Sequence, residues 1–209
     1  MSGTCVIVGA GSFTESELLL SDQDFLIAAD GGYDRVCALG RTPDLVIGDF
    51  DSLHRIPNHP STIVLPTEKD DTDMAAAVEE GVRRGFRQFA IYGGMGGRFE
   101  HSVANLQLLA GMKTRGLHAV LYGPKEKIFF LRGPEKMEFT AGEKGFLSVF
   151  SHSDVCVGVN ERGLKYALYD QTLTNQMVIG ISNEFIGQQA MVSVEQGLLC
   201  LIQERKEVR

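Results

Sequence analysis

At 209 residues, 44% of them hydrophobic, the chain has the apolar content for one large domain or two small ones, which excludes a disordered or fibrous protein. A formal net charge of -7 excludes a protein whose task is to grip a nucleic-acid backbone, which needs clustered positive charge; a small phosphorylated ligand held by local Arg, Lys and metal remains open. Cys5, Cys37, Cys156 and Cys200 form no C-x-x-C pair and have no His at zinc-ligand spacing, so reduced thiols in a cytoplasmic protein are expected. Met1-Ser2-Gly3-Thr4 lacks the basic start of a secretory signal, and no apolar run approaches the length that spans a bilayer.

Residues 4–8 read as a first strand, followed by the tight turn Gly9-Ala10-Gly11-Ser12 and a polar, then leucine-rich segment over 15–20. The turn is similar to the opening of a dinucleotide fingerprint, but Thr14 stands where the third glycine belongs. A plain turn of an α/β domain is therefore the preferred reading. Residues 25–29 form a second buried strand that delivers Asp30-Gly31-Gly32 ahead of a short amphipathic helix over 33–39. Two glycines after a strand let backbone approach a ligand closely, and Asp30 can meet a ribose hydroxyl or a cation's water shell; a glycine turn with an Asp cap explains the same residues.

The short apolar run 45–47 ends in Gly48-Asp49-Phe50-Asp51-Ser52 and reads as a buried parallel strand with acids at its carboxyl end. In extended chain Asp49 and Asp51 face the same way, with Cα atoms roughly 6.5 to 7 Å apart. Such carboxylates repel unless a cation sits between them or one stays protonated. Hard oxygen ligands of this kind suit Mg²⁺ together with substrate phosphates. A second strand, 62–65, runs into Pro66-Thr67-Glu68-Lys69-Asp70-Asp71-Thr72-Asp73 and then the helix-prone Met74-Ala75-Ala76-Ala77. Acids at a helix start favour the macrodipole and cap free N–H groups, which accounts for one or two of them. Four acids and a lysine in six residues exceed what capping needs and, with Asp49 and Asp51, point to a metal-bound polyphosphate.

The helix starting near Asp73 stops about Arg84-Gly85, and residues 88–92 make another strand. Gly93-Gly94-Met95-Gly96-Gly97-Arg98 and a helix over 102–115 follow. They form a plausible anion cradle of exposed N–H groups, a helix N-terminus and a guanidinium. The Gly-Lys-Ser/Thr ending of a Walker A loop is missing, and His101 reads equally as a polar residue of the helix start. After a strand over 118–122 the pattern changes at Gly123-Pro124. Up to that point strands alternate with helices, as a parallel α/β sheet requires. Beyond it eight short apolar runs, at 127–131, 136–140, 146–150, 155–159, 164–168, 177–181, 189–194 and 198–202, read as an antiparallel sandwich or barrel. A domain boundary is expected near residue 124.

These motifs together resemble a thiamine pyrophosphokinase (thiamine diphosphokinase) of the bacterial type. The resemblance covers nearly the whole chain. It rests on Ala29-Asp30-Gly31-Gly32, Gly48-Asp49-Phe50-Asp51-Ser52, Lys69-Asp70-Asp71-Thr72-Asp73, Gly94 with Gly96-Gly97-Arg98-Phe99, His101, Gly163-Leu164-Lys165 and Ser182-Asn183-Glu184-Phe185. It implies an N-terminal α/β domain, 1–124, that binds ATP and Mg²⁺, and a C-terminal β-sandwich, 125–209, that binds thiamine and dimerises. Active sites then lie at the subunit interface of a homodimer, with no nucleic-acid or membrane partner. The implied reaction moves a pyrophosphoryl group from ATP to the hydroxyethyl arm of thiamine, giving thiamine diphosphate and AMP.

Carried over by position, Asp49, Asp51 and Asp73 hold Mg²⁺, while Asp30, Gly31, Gly32, Gly94, Gly96, Gly97, Arg98 and His101 hold ATP. Lys69, Asp70, Asp71 and Thr72 line the reacting centre, with Asp71 favoured as the base. Ser182 and Asn183 contact the aminopyrimidine, and Tyr166 stacks on thiamine. Glu100 stands where the family commonly has Asp, and Tyr166 where some members have Trp, which weakens the cation–π face. Two rival readings keep part of this picture: a nucleotide-binding sensor without turnover, and a diphosphokinase of a pterin-like alcohol.

Overall fold

The structure, a computed structural model, describes residues 3–204. Met1, Ser2 and the last five positions of the expected C-terminal domain lie outside the described residues. Two compact units are present, residues 3–108 with 116–124, and residues 109–115 with 125–204.

In the first unit six strands lie in one parallel sheet: β1 (Cys5–Val8), β2 (Phe25–Ala29), β3 (Leu45–Gly48), β4 (Thr62–Val64), β5 (Gln88–Tyr92) and β6 (His118–Tyr122). Their order is β6-β5-β1-β2-β3-β4. β1 and β3 are buried at every position, as runs covered on both faces should be. The edge strand β4 is only half buried. Three helices connect the strands: α1 (Gly32–Ala38), α2 (Asp73–Arg83) and α3 (Phe99–Thr114). α2 packs Met74, Ala77 and Val78 toward β1, β2 and β3. It begins where Thr72 Oγ1 accepts the Ala75 N–H at 3.1 Å, a side-chain N-cap. α3 begins at Phe99, three residues earlier than the periodicity suggests, because its first residues, Phe99, Glu100 and His101, are all exposed and add nothing to a buried apolar period. The leucine-rich segment after β1 forms only a short 3-10 turn, Glu15–Glu17.

The chain leaves β1 toward β2 on one side, and β5 later returns to the other side of β1. In an open α/β sheet this reversal leaves a crevice outside the carboxyl ends of the strands.

The second unit consists of two antiparallel sheets. One joins β7 (Glu126–Arg132), β9 (Phe146–Ser151), β12 (Asn183–Glu184) and β14 (Leu198–Glu204) in the order β12-β9-β14-β7. The other joins β8 (Glu135–Phe139), β10 (Val155–Arg162), β11 (Leu168–Thr174) and β13 (Ala190–Val194) in the order β11-β10-β13-β8. Their inner faces bury Leu131, Val149, Leu199 and Leu201 together with Val159, Val192 and Leu173, the alternation of a sandwich. The C-terminal end of α3 groups with this unit, tied by Lys113 Nζ to Glu135 Oε1 at 2.7 Å and by Arg132 Nη1 to the Thr114 carbonyl at 2.7 Å.

Two expected strands are corrected. Residues 164–168 are mostly turn, and β11 starts only at Leu168. Residues 177–181 are turn and irregular chain with Val178, Ile179 and Ile181 exposed. Apolar content alone does not separate an inner strand from an apolar surface loop.

Candidate active site

Five chain segments reach the crevice of the first unit, each just past the end of a strand. They are residues 9–11 after β1, Asp30 after β2, Asp49 to Ser52 after β3, residues 67–74 after β4 and residues 93–98 after β5. The resulting cleft has a volume of about 630 Å³. Of the residues singled out from sequence, Asp30, Asp49, Asp51, Lys69, Asp71, Thr72, Asp73, Gly94, Gly97, Arg98 and His101 line it. Asp70 is exposed outside the lining, Gly31 and Gly32 begin α1 behind Asp30, and Gly96 packs against Ser12. Tyr166, Ser182 and Asn183 belong to the second unit.

The local backbone explains how the acids converge. Asp30 has φ +46° and Phe50 has φ +61°, left-handed conformations that non-glycine residues rarely adopt and that collect at functional sites. At Phe50 the strand has already ended at Gly48, so the extended-chain spacing expected for Asp49 and Asp51 does not apply. Instead the buried Phe50 ring anchors a sharp turn, in which Asp49 Oδ1 lies 3.3 Å from the Asp51 N–H that it accepts. This turn brings carboxylate oxygens of Asp30, Asp49 and Asp51 within 4.8 Å of one another. Among the described residues this is the cluster with metal-ligand spacing, and it contains Asp30 rather than Asp73.

Asp73 faces Lys69 instead. The Lys69 ammonium donates to Asp49 Oδ2 at 2.6 Å and lies 3.0 Å from Asp73 Oδ1. The second contact is an ion pair without hydrogen-bond alignment, since Asp73 Oδ1 is buried with no hydrogen-bond partner. The two carboxylates respond differently. The hydrogen bond from Lys69 holds Asp49 below its ordinary pKa against the effect of burial. Burial pushes Asp73 up, with Lys69 opposing and the charges of Asp49 and Asp30 adding to the rise. Burial also opposes the Lys69 ammonium, but its two acidic partners outweigh that and raise its pKa. One lysine therefore offsets part of a four-carboxylate charge, leaving the cleft floor acidic.

Asp30 Oδ2 accepts from Ser52 Oγ at 2.6 Å, whereas its Oδ1 is buried without a partner. An orphaned buried carboxylate oxygen is costly. Within a cluster of three acids it fits a hard divalent cation.

On the opposite wall the loops after β1 and β5 touch directly. Gly11 N–H donates to the Gly93 carbonyl and Ser12 N–H to that of Met95, at 2.8 and 2.7 Å. Gly93 has φ +66°, and a Cβ there would lie 2.2 Å from the Gly9 carbonyl oxygen, so only glycine fits. Arg98 contacts His101 and pairs with Glu100 at 3.3 Å. Two residues given no role from sequence stabilise this geometry: Ser52, quoted there only as part of its motif, which holds Asp30, and the buried Asn105, not singled out at all, whose Nδ2 donates to the Gly94 carbonyl at 2.7 Å. Asn105 lies four residues after His101 on the same helix, and that i, i+4 spacing was its available signal.

In the second unit Tyr166 is exposed, Ser182 has φ +53°, and Asn183 is buried. No helix among the described residues is long and apolar enough to cross a membrane.

Comparison with known proteins places these features in a group. The family model for the thiamin pyrophosphokinase catalytic domain matches residues 16–121, and that for the thiamin pyrophosphokinase vitamin B1 binding domain matches residues 136–199. A thiamine pyrophosphokinase of Bacillus subtilis (strain 168) is 29% identical over 184 residues, 84% of this chain and 85% of the relative. The crystal structure of a thiamine pyrophosphokinase from Bacillus subtilis superposes with a TM-score of 0.86 at 23% identity, covering 97% of this chain and 99% of the other. That of a thiamin pyrophosphokinase family protein from Enterococcus faecalis gives 0.82 at 27% identity, covering 98% and 100%.

Proposed function

Because the chain belongs to the thiamin pyrophosphokinase family, we propose that it transfers the pyrophosphoryl group of ATP to the hydroxyethyl arm of thiamine, yielding thiamine diphosphate and AMP. The observation that carries this reading is the convergence of Asp30, Asp49 and Asp51, and of the Lys69 bridge to Asp73, in one cleft faced by a glycine-rich loop and Arg98.

The residues fit Mg²⁺. Asp49 and Asp51 would hold it with Asp30, whose free buried oxygen supports its inclusion, while Asp73 stays with Lys69 and reaches the site from its edge. When bound, the cation supplies charge neutralisation on the polyphosphate. The N–H groups of residues 94–97, Arg98 and His101 are placed to cradle the nucleotide's phosphates, and Gly31 and Gly32 let backbone approach it beside Asp30. Lys69 adds positive charge near the β-phosphate, where negative charge builds as the thiamine oxygen attacks. The bond from the β-phosphorus to the bridging oxygen of the α-phosphate breaks, and AMP leaves. Asp71, exposed in the cleft between Lys69 and the Thr72 cap, takes the hydroxyl proton in this scheme. Asp70, just outside the lining, adds to the negative potential that draws in cationic thiamine.

The 1–124 portion is thus read as the ATP- and Mg²⁺-binding catalytic domain, and the 125–209 portion as the thiamine-binding and dimerisation domain. The Tyr166 ring is read as the thiamine platform, with Ser182 beside it. Exposed Val178, Ile179 and Ile181 support a homodimer whose active sites are completed across subunits. The four free cysteines support a reducing, cytoplasmic setting.

The test is product analysis. Purified protein with Mg²⁺, ATP and thiamine should form AMP and thiamine diphosphate in equal amounts, and Asp49→Ala should lower kcat by about 100-fold or more. ADP as the product would instead identify an ordinary kinase.

A further inference from the structure

The amide of Asn183 has no hydrogen-bonding capacity left over. Its Nδ2 donates to Glu161 Oε2 at 2.7 Å and to the Tyr166 carbonyl at 2.7 Å. Its Oδ1 accepts the backbone N–H of Tyr166 at 2.9 Å and that of Glu184 at 3.0 Å. A primary amide offers two donors and two acceptor lone pairs, so all four are committed inside the protein, and the side chain is only 2% exposed. The pattern also sets which end is oxygen, since a flipped amide would turn its NH₂ toward two N–H donors.

Glu161, on β10, is fully buried. It is an unusual residue between two sandwich sheets, and its one hydrogen-bonded oxygen is spent on Asn183, while Oε1 has no partner. Both backbone groups of Tyr166 end on a single side chain, and the next contact, Lys165 N–H to the Glu184 carbonyl at 3.0 Å, ties the same two segments together. The Tyr166 ring is nevertheless 62% exposed, with the Lys165 ammonium 5.7 Å from its centroid. A rigid backbone carrying an open aromatic face is what a stacking platform for a flat, cationic ring requires.

We infer that Asn183 is a positioning residue that does not touch substrate through its side chain, and that buried Glu161 orients its amide, so that the pair sets where the Tyr166 ring meets thiamine. This rests on the thiamine-binding reading given above. Ser182, whose N–H is held by Ser148 Oγ at 3.0 Å, keeps its hydroxyl for the substrate.

A donor–acceptor swap tests it. Asn183→Asp retains acceptors for the two N–H groups but loses both donated bonds, to Glu161 and to the Tyr166 carbonyl, and sets a second carboxylate against Glu161. Its KM for thiamine, and its thiamine Kd by calorimetry, should rise by about tenfold or more, with the KM for ATP unchanged within about twofold. Glu161→Gln alone keeps an acceptor for Asn183 and should stay within about threefold of wild type. Combining the two restores the donor–acceptor pair between positions 161 and 183 with the roles reversed, though not the bond to the Tyr166 carbonyl, and should recover about threefold or more of the lost thiamine affinity. A direct substrate contact by the amide predicts no such recovery: a double variant as weak as Asn183→Asp alone overturns the inference. A wild-type chain that binds no thiamine by calorimetry overturns the thiamine reading itself and the inference with it, whereas normal wild-type binding with failed recovery sinks only the inference.

Discussion

Glu161 also illustrates how a single buried carboxyl couples the sandwich to pH. Burial raises its pKa from the ordinary 4.5 to about 7, opposed only by the hydrogen bond from the neutral Asn183 amide. A raised folded-state pKa means that the native state binds the proton more tightly than the unfolded chain. Its contribution is therefore complete below pH 4.5 and is lost as pH rises through about 7. The difference in unfolding free energy between wild type and Glu161→Gln, followed by denaturant titration, should shift against wild type by ~3 kcal/mol between pH 4.5 and pH 8. A flat difference would mean that folding leaves the pKa of Glu161 where it is in the unfolded chain. The other decisive single residues are in the catalytic unit. Phe50 and Asp30 hold left-handed backbone, and without those turns Asp49, Asp51 and Asp30 would not share one site. Sequence identified the acids; the turn that aims them depends on Phe50 being buried, which no local pattern announces.

At the scale of elements, the cleft is assembled from segments that follow strand ends, together with the first turns of α2 and α3. α2 matters most, because it begins inside the acidic segment: Thr72 caps it, and Asp73 is its first residue. Thr72→Ala removes the acceptor for the Ala75 N–H and should cost about 1 kcal/mol of unfolding free energy. The denaturant m-value should be unchanged, since the folded core does not alter. An unchanged midpoint would show that water or a neighbour replaces the cap. The helix starts were legible where a capping residue or acid precedes an apolar period, as at α2. The start was misplaced at α3, whose first residues 99–101 are exposed rather than packed in the core, with only His101 of the three lining the cleft.

For the whole molecule, the apolar loop 177–181 is decisive. Read as a strand, it would belong inside the sandwich; in the fold it is outside, with Val178 76% exposed. An exposed apolar loop next to the Tyr166 segment fits the surface on which a second subunit would sit. Wild-type protein should sediment at twice the 22.9 kDa chain mass. Val178→Asp should shift it toward monomer and sharply reduce activity, while leaving the melting temperature of the fold nearly unchanged because the residue makes little contact within its own chain. Wild type sedimenting as a monomer would overturn the homodimer reading.

From its order of residues alone, the chain declared a parallel α/β half followed by an antiparallel half, and it declared most of the carboxylates, glycines and basic groups that the fold gathers along one cleft. Those properties are local: period, turn residues and the clustering of acids at strand ends are written within a few positions of one another. Only the tertiary structure decided that Asp30 joins Asp49 and Asp51 while Asp73 turns to Lys69, that the Asn183 amide is spent on Glu161 and on backbone groups of Tyr166 and Glu184, and that the apolar side chains of residues 177–181 are exposed. Each of these depends on which distant segments share a neighbourhood and which are covered from water. Burial and long-range hydrogen bonding settle that only when the whole chain has folded.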